Sequence, residues 1–96
     1  MVKIEWSESA KKDIKNILNY ISKDSPNYSE FFLNGILEKI EYLINFPQMG
    51  RKVPESDDPL DRELIFQNYR IVYTFSHEIV MIEAIIHGSK LFKLEK

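Results

Sequence analysis

Arg70 and His87 are the residues of this 96-residue chain whose type and position best suit chemistry. Arg70 stands in the run Tyr69-Arg70-Ile71-Val72-Tyr73, where a guanidinium among apolar neighbours calls for an anion. His87 closes the last apolar run, and imidazole is the side chain that titrates near neutral pH without help. Each also has a structural reading. Arg70 would hold Glu63 or Glu83 in an ion pair, and His87 would bond locally at a strand end. Arg51 follows Gly50 and would cap the carbonyls of a helix end. Arg62 and Lys90 are further cations. There is no Cys, so disulfides and thiolate chemistry are excluded. His77 and His87 stand ten residues apart with no ligand cluster nearby, so neither a metal nor another cofactor is expected.

The rest of the composition narrows the class. Thirteen Lys and Arg against fifteen Asp and Glu leave a formal charge of −2. That excludes a polybasic nucleic-acid tail while allowing a local basic patch. A hydrophobic content of 44% is too high for a disordered chain. The length fits one domain over residues 1–96. No leader-like segment and no apolar run near the ~18–20 residues of a membrane span is visible. A cytoplasmic protein without membrane attachment is therefore expected.

Elements that would position these residues follow from the patterning. Residues 2–6 alternate apolar and polar, as a half-buried strand does. Ser7 is an N-cap, and Ala10, Ile14, Ile17, Leu18 and Ile21 form one helical stripe. Ser25-Pro26 begins a second helix over 26–45, with Phe32, Ile36, Ile40, Leu43 and Ile44 on its inner side. Phe46-Pro47 and Gly50 end it. Residues 51–61, with Pro54, Pro59 and an acidic cluster, read as an exposed loop. Three strands over 62–66, 69–75 and 79–87 close the pattern as two hairpins, and a basic tail follows from Gly88.

The fold class is thus α+β, in the order βααβββ: an N-terminal strand and a helical hairpin on one face of a mainly antiparallel four-stranded sheet. Tyr69, Ile71, Tyr73 and Phe75 share one side of their strand, and Val80, Ile82, Ala84 and Ile86 form an apolar set on the next. Facing those sets to the helices leaves Arg70 and His87 together on an uncovered face. A two-residue turn at Gln67-Asn68 places Arg62 and Arg70 on opposite faces. A longer loop or a bulge places them on the same one.

Four local signatures in this order carry a resemblance: Phe46-Pro47-x-x-Gly50-Arg51, Arg62-Glu63-Leu64, Tyr69-Arg70-Ile71-Val72-Tyr73 and His87-Gly88-Ser89-Lys90. Over essentially its whole length the chain resembles the RelE/ParE family of toxins from bacterial type II toxin–antitoxin, or plasmid stabilisation, systems. The resemblance implies a growth-inhibiting toxin bound and neutralised by a cognate antitoxin protein, with a toxin–antitoxin hetero-oligomer as its resting form. RelE-like members are ribosome-dependent endoribonucleases, and ParE-like members poison DNA gyrase.

Metal-free mRNA cleavage needs a base, an acid and cations at the phosphate. In that reading His87, Arg70 and Arg62 would be catalytic, with Glu83 as another acid or base. Nucleolytic relatives are typically strongly basic and often carry Tyr or His near the C-terminus. This tail carries neither, and Phe92 cannot transfer a proton. The ParE-like reading is therefore preferred: inhibition of DNA gyrase by protein binding, with Arg51, Arg70 and Lys90 touching the target. The ribosome and its mRNA are the target in the alternative, and a non-toxic interaction module retained with its antitoxin is a third reading.

Overall fold

In the computed structural model, which describes residues 1–92, strand β1 (Lys3–Trp6) leads into helix α1 (Glu8–Ser22), and helix α2 (Pro26–Glu41) follows. The helix starts are the expected ones. Ser7 Oγ accepts the Ala10 N–H at 3.0 Å, and Ser25 Oγ accepts the Tyr28 N–H at 3.2 Å. Each occupies a donor that a helix start otherwise leaves open. Ala10, Phe32, Ile36, Ile40 and Leu43 are buried against the sheet, and Ile14, Ile17, Leu18 and Ile21 pack onto them. Each large side chain so removed from water contributes roughly 1.5–3 kcal/mol. Ile44 departs from the expected stripe. The α-helix stops at Glu41 and residues Tyr42–Ile44 wind as a 3₁₀ turn, whose tighter period rotates Ile44 outward.

The sheet has five strands rather than four, in the order β1-β5-β4-β3-β2. The additional one, β2 (Arg51–Lys52), lies within the expected loop and pairs antiparallel with the start of β3 (Asp61–Phe66). Strands β3, β4 (Tyr69–Ser76) and β5 (Ile79–His87) form the two hairpins, and β1 lies parallel beside β5. Phe66 pairs with Tyr69 across a two-residue turn, so Arg62 faces Tyr73 and Ile65 faces Arg70. This is the register that puts Arg62 and Arg70 on opposite faces. The second turn is also two residues, His77-Glu78, with φ of 52° and 63°, the backbone signs of a type I′ hairpin.

Strand β5 carries a bulge. Val72 pairs with Ala84 and Tyr73 with Ile82, so Glu83 is an extra residue in the ladder. It forms where β1 runs out. The Ser7 N–H reaches the Ile82 carbonyl at 2.9 Å, and Ser7 Oγ donates to the Glu83 carbonyl at 3.0 Å. Asp13 of α1 then accepts the Ile85 N–H at 3.0 Å, satisfying an edge donor that β1 does not reach. The inserted residue reverses the parity. Val80, Ile82 and Ile85 pack under the helices, while Ala84 and Ile86 join the other face. The expected helix-facing set of Val80, Ile82, Ala84 and Ile86 is corrected accordingly.

The second face is not open either. Val53, Val72, Ala84 and Phe92 make a smaller core there, with Ile86 packed against it. The 53–60 loop and the 88–92 segment fold over it, so the stretch expected to be exposed instead delivers a fully buried Val53. The remainder of the basic tail, 93–96, lies outside the described residues. Among those described, no helix is long and apolar enough to cross a membrane.

Candidate functional site

Strand β4 carries Arg70 into the second face, beneath the loop and the C-terminal segment. Its side chain is 8% exposed, with Nη2 2.6 Å from Glu63 Oε1 and Nη1 2.6 Å from Glu55 Oε2. Nη1 also donates to the Lys90 carbonyl at 2.9 Å. Glu63 is fully buried and receives Arg51 Nε on its other oxygen at 2.6 Å. Glu55 additionally accepts the Phe92 N–H at 2.8 Å. The result is an alternating row, Arg51-Glu63-Arg70-Glu55, that ties β2, β3, β4, the loop and the C-terminal segment together.

Such charges are tolerable out of water only when paired and fully bonded. No buried side-chain nitrogen or oxygen among the described residues lacks a partner. The Arg70 guanidinium holds the Glu55 carboxyl down to about 2, against the opposing effect of burial. Glu55 and then Glu63 hold Arg70 more firmly protonated than a free arginine. The row is neutral in sum. Its outer member, Arg51, keeps a 64% exposed side chain, and Lys90 is exposed at the other end.

Of Arg51, Arg70 and Lys90, grouped by the sequence, the two arginines therefore meet around Glu63, and Lys90 joins them through its backbone carbonyl alone. Arg70 is the interior member, and its face is covered rather than presented to solvent. Glu63 is its partner on the neighbouring strand. Glu83, the other expected partner, lies on the bulge, where burial and then the Asp61 charge push its carboxyl above the ordinary range.

Arg62 and His87 sit elsewhere. Arg62 lies on the helix side of the sheet, where Nη1 donates to the Gln48 carbonyl at 3.2 Å and the Gly50 carbonyl at 2.8 Å. It, and not Arg51, satisfies the carbonyls after the helix end. The bulge turns His87 to the helix side, edge-on to the Tyr69 ring with centroids 5.7 Å apart. Its Nδ1 lies 2.8 Å from Ser89 Oγ and accepts the Ser89 N–H at 3.2 Å. His87 and Arg70 are thus on opposite faces, and the trio His87, Arg70 and Arg62 does not converge on a common point. An acid, a base and a phosphate-binding cation would have to converge within hydrogen-bond reach of one scissile bond.

Two features escaped the sequence. Glu55 sits in the stretch read as exposed; Val53, an isolated apolar residue between Lys52 and Pro54-Glu55, was the available sign that this stretch packs down. The other is the bracing of residues 46–50. Tyr73 Oη donates to the Pro47 carbonyl and accepts the Gly50 N–H, both at 2.9 Å. A Cβ at Gly50 would come within 2.6 Å of that hydroxyl, so only glycine allows the approach. Between α1, the end of β5 and the 90–92 segment runs a groove of about 740 Å³ lined in part by Lys12, Asp13, Glu83 and Lys90.

A family model described as the ParE toxin of type II toxin-antitoxin system, parDE, matches residues 4–92. No curated protein matches the chain. Among solved structures, a chain of the chromosomal ParDE TA system from P. aeruginosa is similar, with a TM-score of 0.75 and 20% identity, covering 91% of this chain and 96% of that one. A chain of the E. coli DinJ-YafQ complex is also similar, with a TM-score of 0.66 and 19% identity, covering 97% of this chain and 100% of its own. At such identities these two likenesses are likenesses of fold.

Proposed function

The chain belongs to the ParE toxin family of type II toxin–antitoxin systems, and from that premise we propose that it arrests growth by binding DNA gyrase rather than by cutting RNA. The observation that supports this most is the dispersal of His87, Arg70 and Arg62 over two faces. Arg51 and Lys90 make the contacts with the target from either end of the buried ion row. Arg70 acts through them as a positioning residue, because it bonds the Lys90 carbonyl and, through Glu63, orients Arg51. The toxin works in the cytoplasm, and a cognate antitoxin holds it inactive in a hetero-oligomer.

Supercoiling and DNA-cleavage assays with purified gyrase test this directly. The wild-type chain is expected to inhibit supercoiling. Lys90→Ala, at an exposed side chain, is expected to lose inhibition by tenfold or more while melting within a few degrees of wild type. Arg51→Ala is expected to lose it as strongly with a larger drop in melting temperature, because it strips one oxygen of the buried Glu63 of its partner. Cuts in translated mRNA that appear with the wild type and vanish with His87→Ala would overturn the proposal in favour of a ribonuclease.

A further inference from the structure

Residues 46–50, after the helical hairpin, are held rigidly and yet expose their apolar side chains. Tyr73 and Arg62 bond the carbonyls of Pro47, Gln48 and Gly50 from beneath, and the Met49 N–H returns to the Phe46 carbonyl at 3.1 Å. Phe46 is nevertheless 60% exposed and Met49 44% exposed. With Pro47, Gln48 and Phe75 they line an apolar cleft of about 500 Å³. Large side chains on a pre-ordered backbone lose little further entropy when a partner covers them, which is the physical basis of an interface anchor.

The charges beside this cleft are arranged against the fold's own stability. Lys52 and Arg62 are directly opposed across the β2–β3 pair, and like charges so placed repel. Neither forms an ion pair among the described residues. Lys52 is exposed, on a two-residue strand at the edge of the sheet. Two adjacent cations without a paired carboxylate among the described residues, next to an apolar cleft, complement a segment with a bulky apolar residue flanked by carboxylates.

We propose that this surface docks an acidic segment of the antitoxin, with one large apolar side chain seated between Phe46, Met49 and Phe75 and carboxylates on Lys52 and Arg62. The inference rests on the reading of the chain as an antitoxin-bound toxin. A peptide suits the site better than nucleic acid, because the described lining of the cleft is apolar apart from Gln48 and contains no cation, whereas a phosphate backbone is tracked by a row of them.

The test measures binding of the product of the adjacent reading frame to the purified wild-type chain and to Phe46→Ser and Lys52→Glu. Both positions are exposed, so melting temperatures near wild type are expected. Each variant should bind at least tenfold more weakly, and raising salt should weaken wild-type binding more than Lys52→Glu binding. Wild-type binding with both variants equally tight would overturn this site while leaving the toxin–antitoxin reading standing. A wild-type chain that the neighbour's product does not bind at all would instead remove that reading, and the site with it. A single-stranded RNA oligonucleotide that binds the wild type and loses affinity with both variants would overturn the peptide in favour of nucleic acid.

Discussion

Truncation of Arg70 is the sharpest test of the ion row. Arg70→Ala leaves Glu63, which has no solvent exposure, facing only Arg51, and leaves Glu55 with a single backbone N–H. It also releases the Lys90 carbonyl. Removing one partner of a buried pair costs about 3–5 kcal/mol, mainly because the other charge stays buried without compensation. Arg51 still neutralises part of Glu63, which places the loss near the lower figure, about 3 kcal/mol. A domain of this size has only about 5–15 kcal/mol in total, and each kcal/mol moves its melting temperature by roughly 4–8 °C. Thermal unfolding followed by circular dichroism should therefore show a drop of at least ~12 °C. An Arg70→Ala protein melting within ~3 °C of wild type would refute the reasoning. It would mean that water reaches the carboxylates and that the row is not a buried network. Any toxicity lost in Arg70→Ala is accordingly expected to follow the loss of folded protein, and a variant that inhibits growth while destabilised would show that Arg51 and Lys90 do not need Arg70 to position them.

Two further outcomes follow from particular groups. The Glu55 carboxyl is held at about 2 against an ordinary 4.5, so its contribution is fully present above about pH 4.5 and fades as pH falls toward 2. Urea unfolding across that window should show the stability gap between wild type and Glu55→Gln narrowing with acid; a gap independent of pH would count against the pairing. At the β4–β5 turn, two non-glycine residues occupy the left-handed region, at roughly 1–2 kcal/mol each. Replacing them together, His77→Asn with Glu78→Gly, should stabilise the chain by about 1 kcal/mol in chemical denaturation, since the Glu78 bridge to the N-terminus that is lost is highly exposed. Unchanged or lower stability would contradict the assignment of the turn.

What was legible in the sequence was local. Ser7 and Ser25 announced the helix starts because a capping hydroxyl acts within three residues. The stripes of α1 and α2 were legible because burial on one side imposes a helical period. The Arg70–Glu63 pair was also within reach, since a cross-strand register follows from a two-residue turn. The edge strand β2 was not, because two residues between turn-forming stretches carry no period of their own. Ile44 failed for a related reason: a helical stripe projected past Glu41 assumes 3.6 residues per turn, and the chain there has three.

The placement of His87 shows why the site was less legible than the fold. Alternation along β5 assigns faces by counting, and a count is undone by one extra residue. The cause of that extra residue lies far away in sequence. β1 ends at Trp6, the serine that starts α1 takes the Glu83 carbonyl, and Asp13 takes the next outward N–H. The sign within the strand was Ile85, as apolar as Ile86 and three residues from Ile82, a spacing that ordinary alternation cannot bury on one side. With the bulge, Ile82 and Ile85 both reach the helices, His87 goes with them toward Tyr69, and Ala84 and Ile86 go to the face that holds Arg70. Before the bulge is counted, histidine and arginine look like partners in one active site. Once it is counted they stand on opposite sides of a sheet, and that separation, set by where a four-residue parallel strand stops, is the physical reason to favour binding over catalysis.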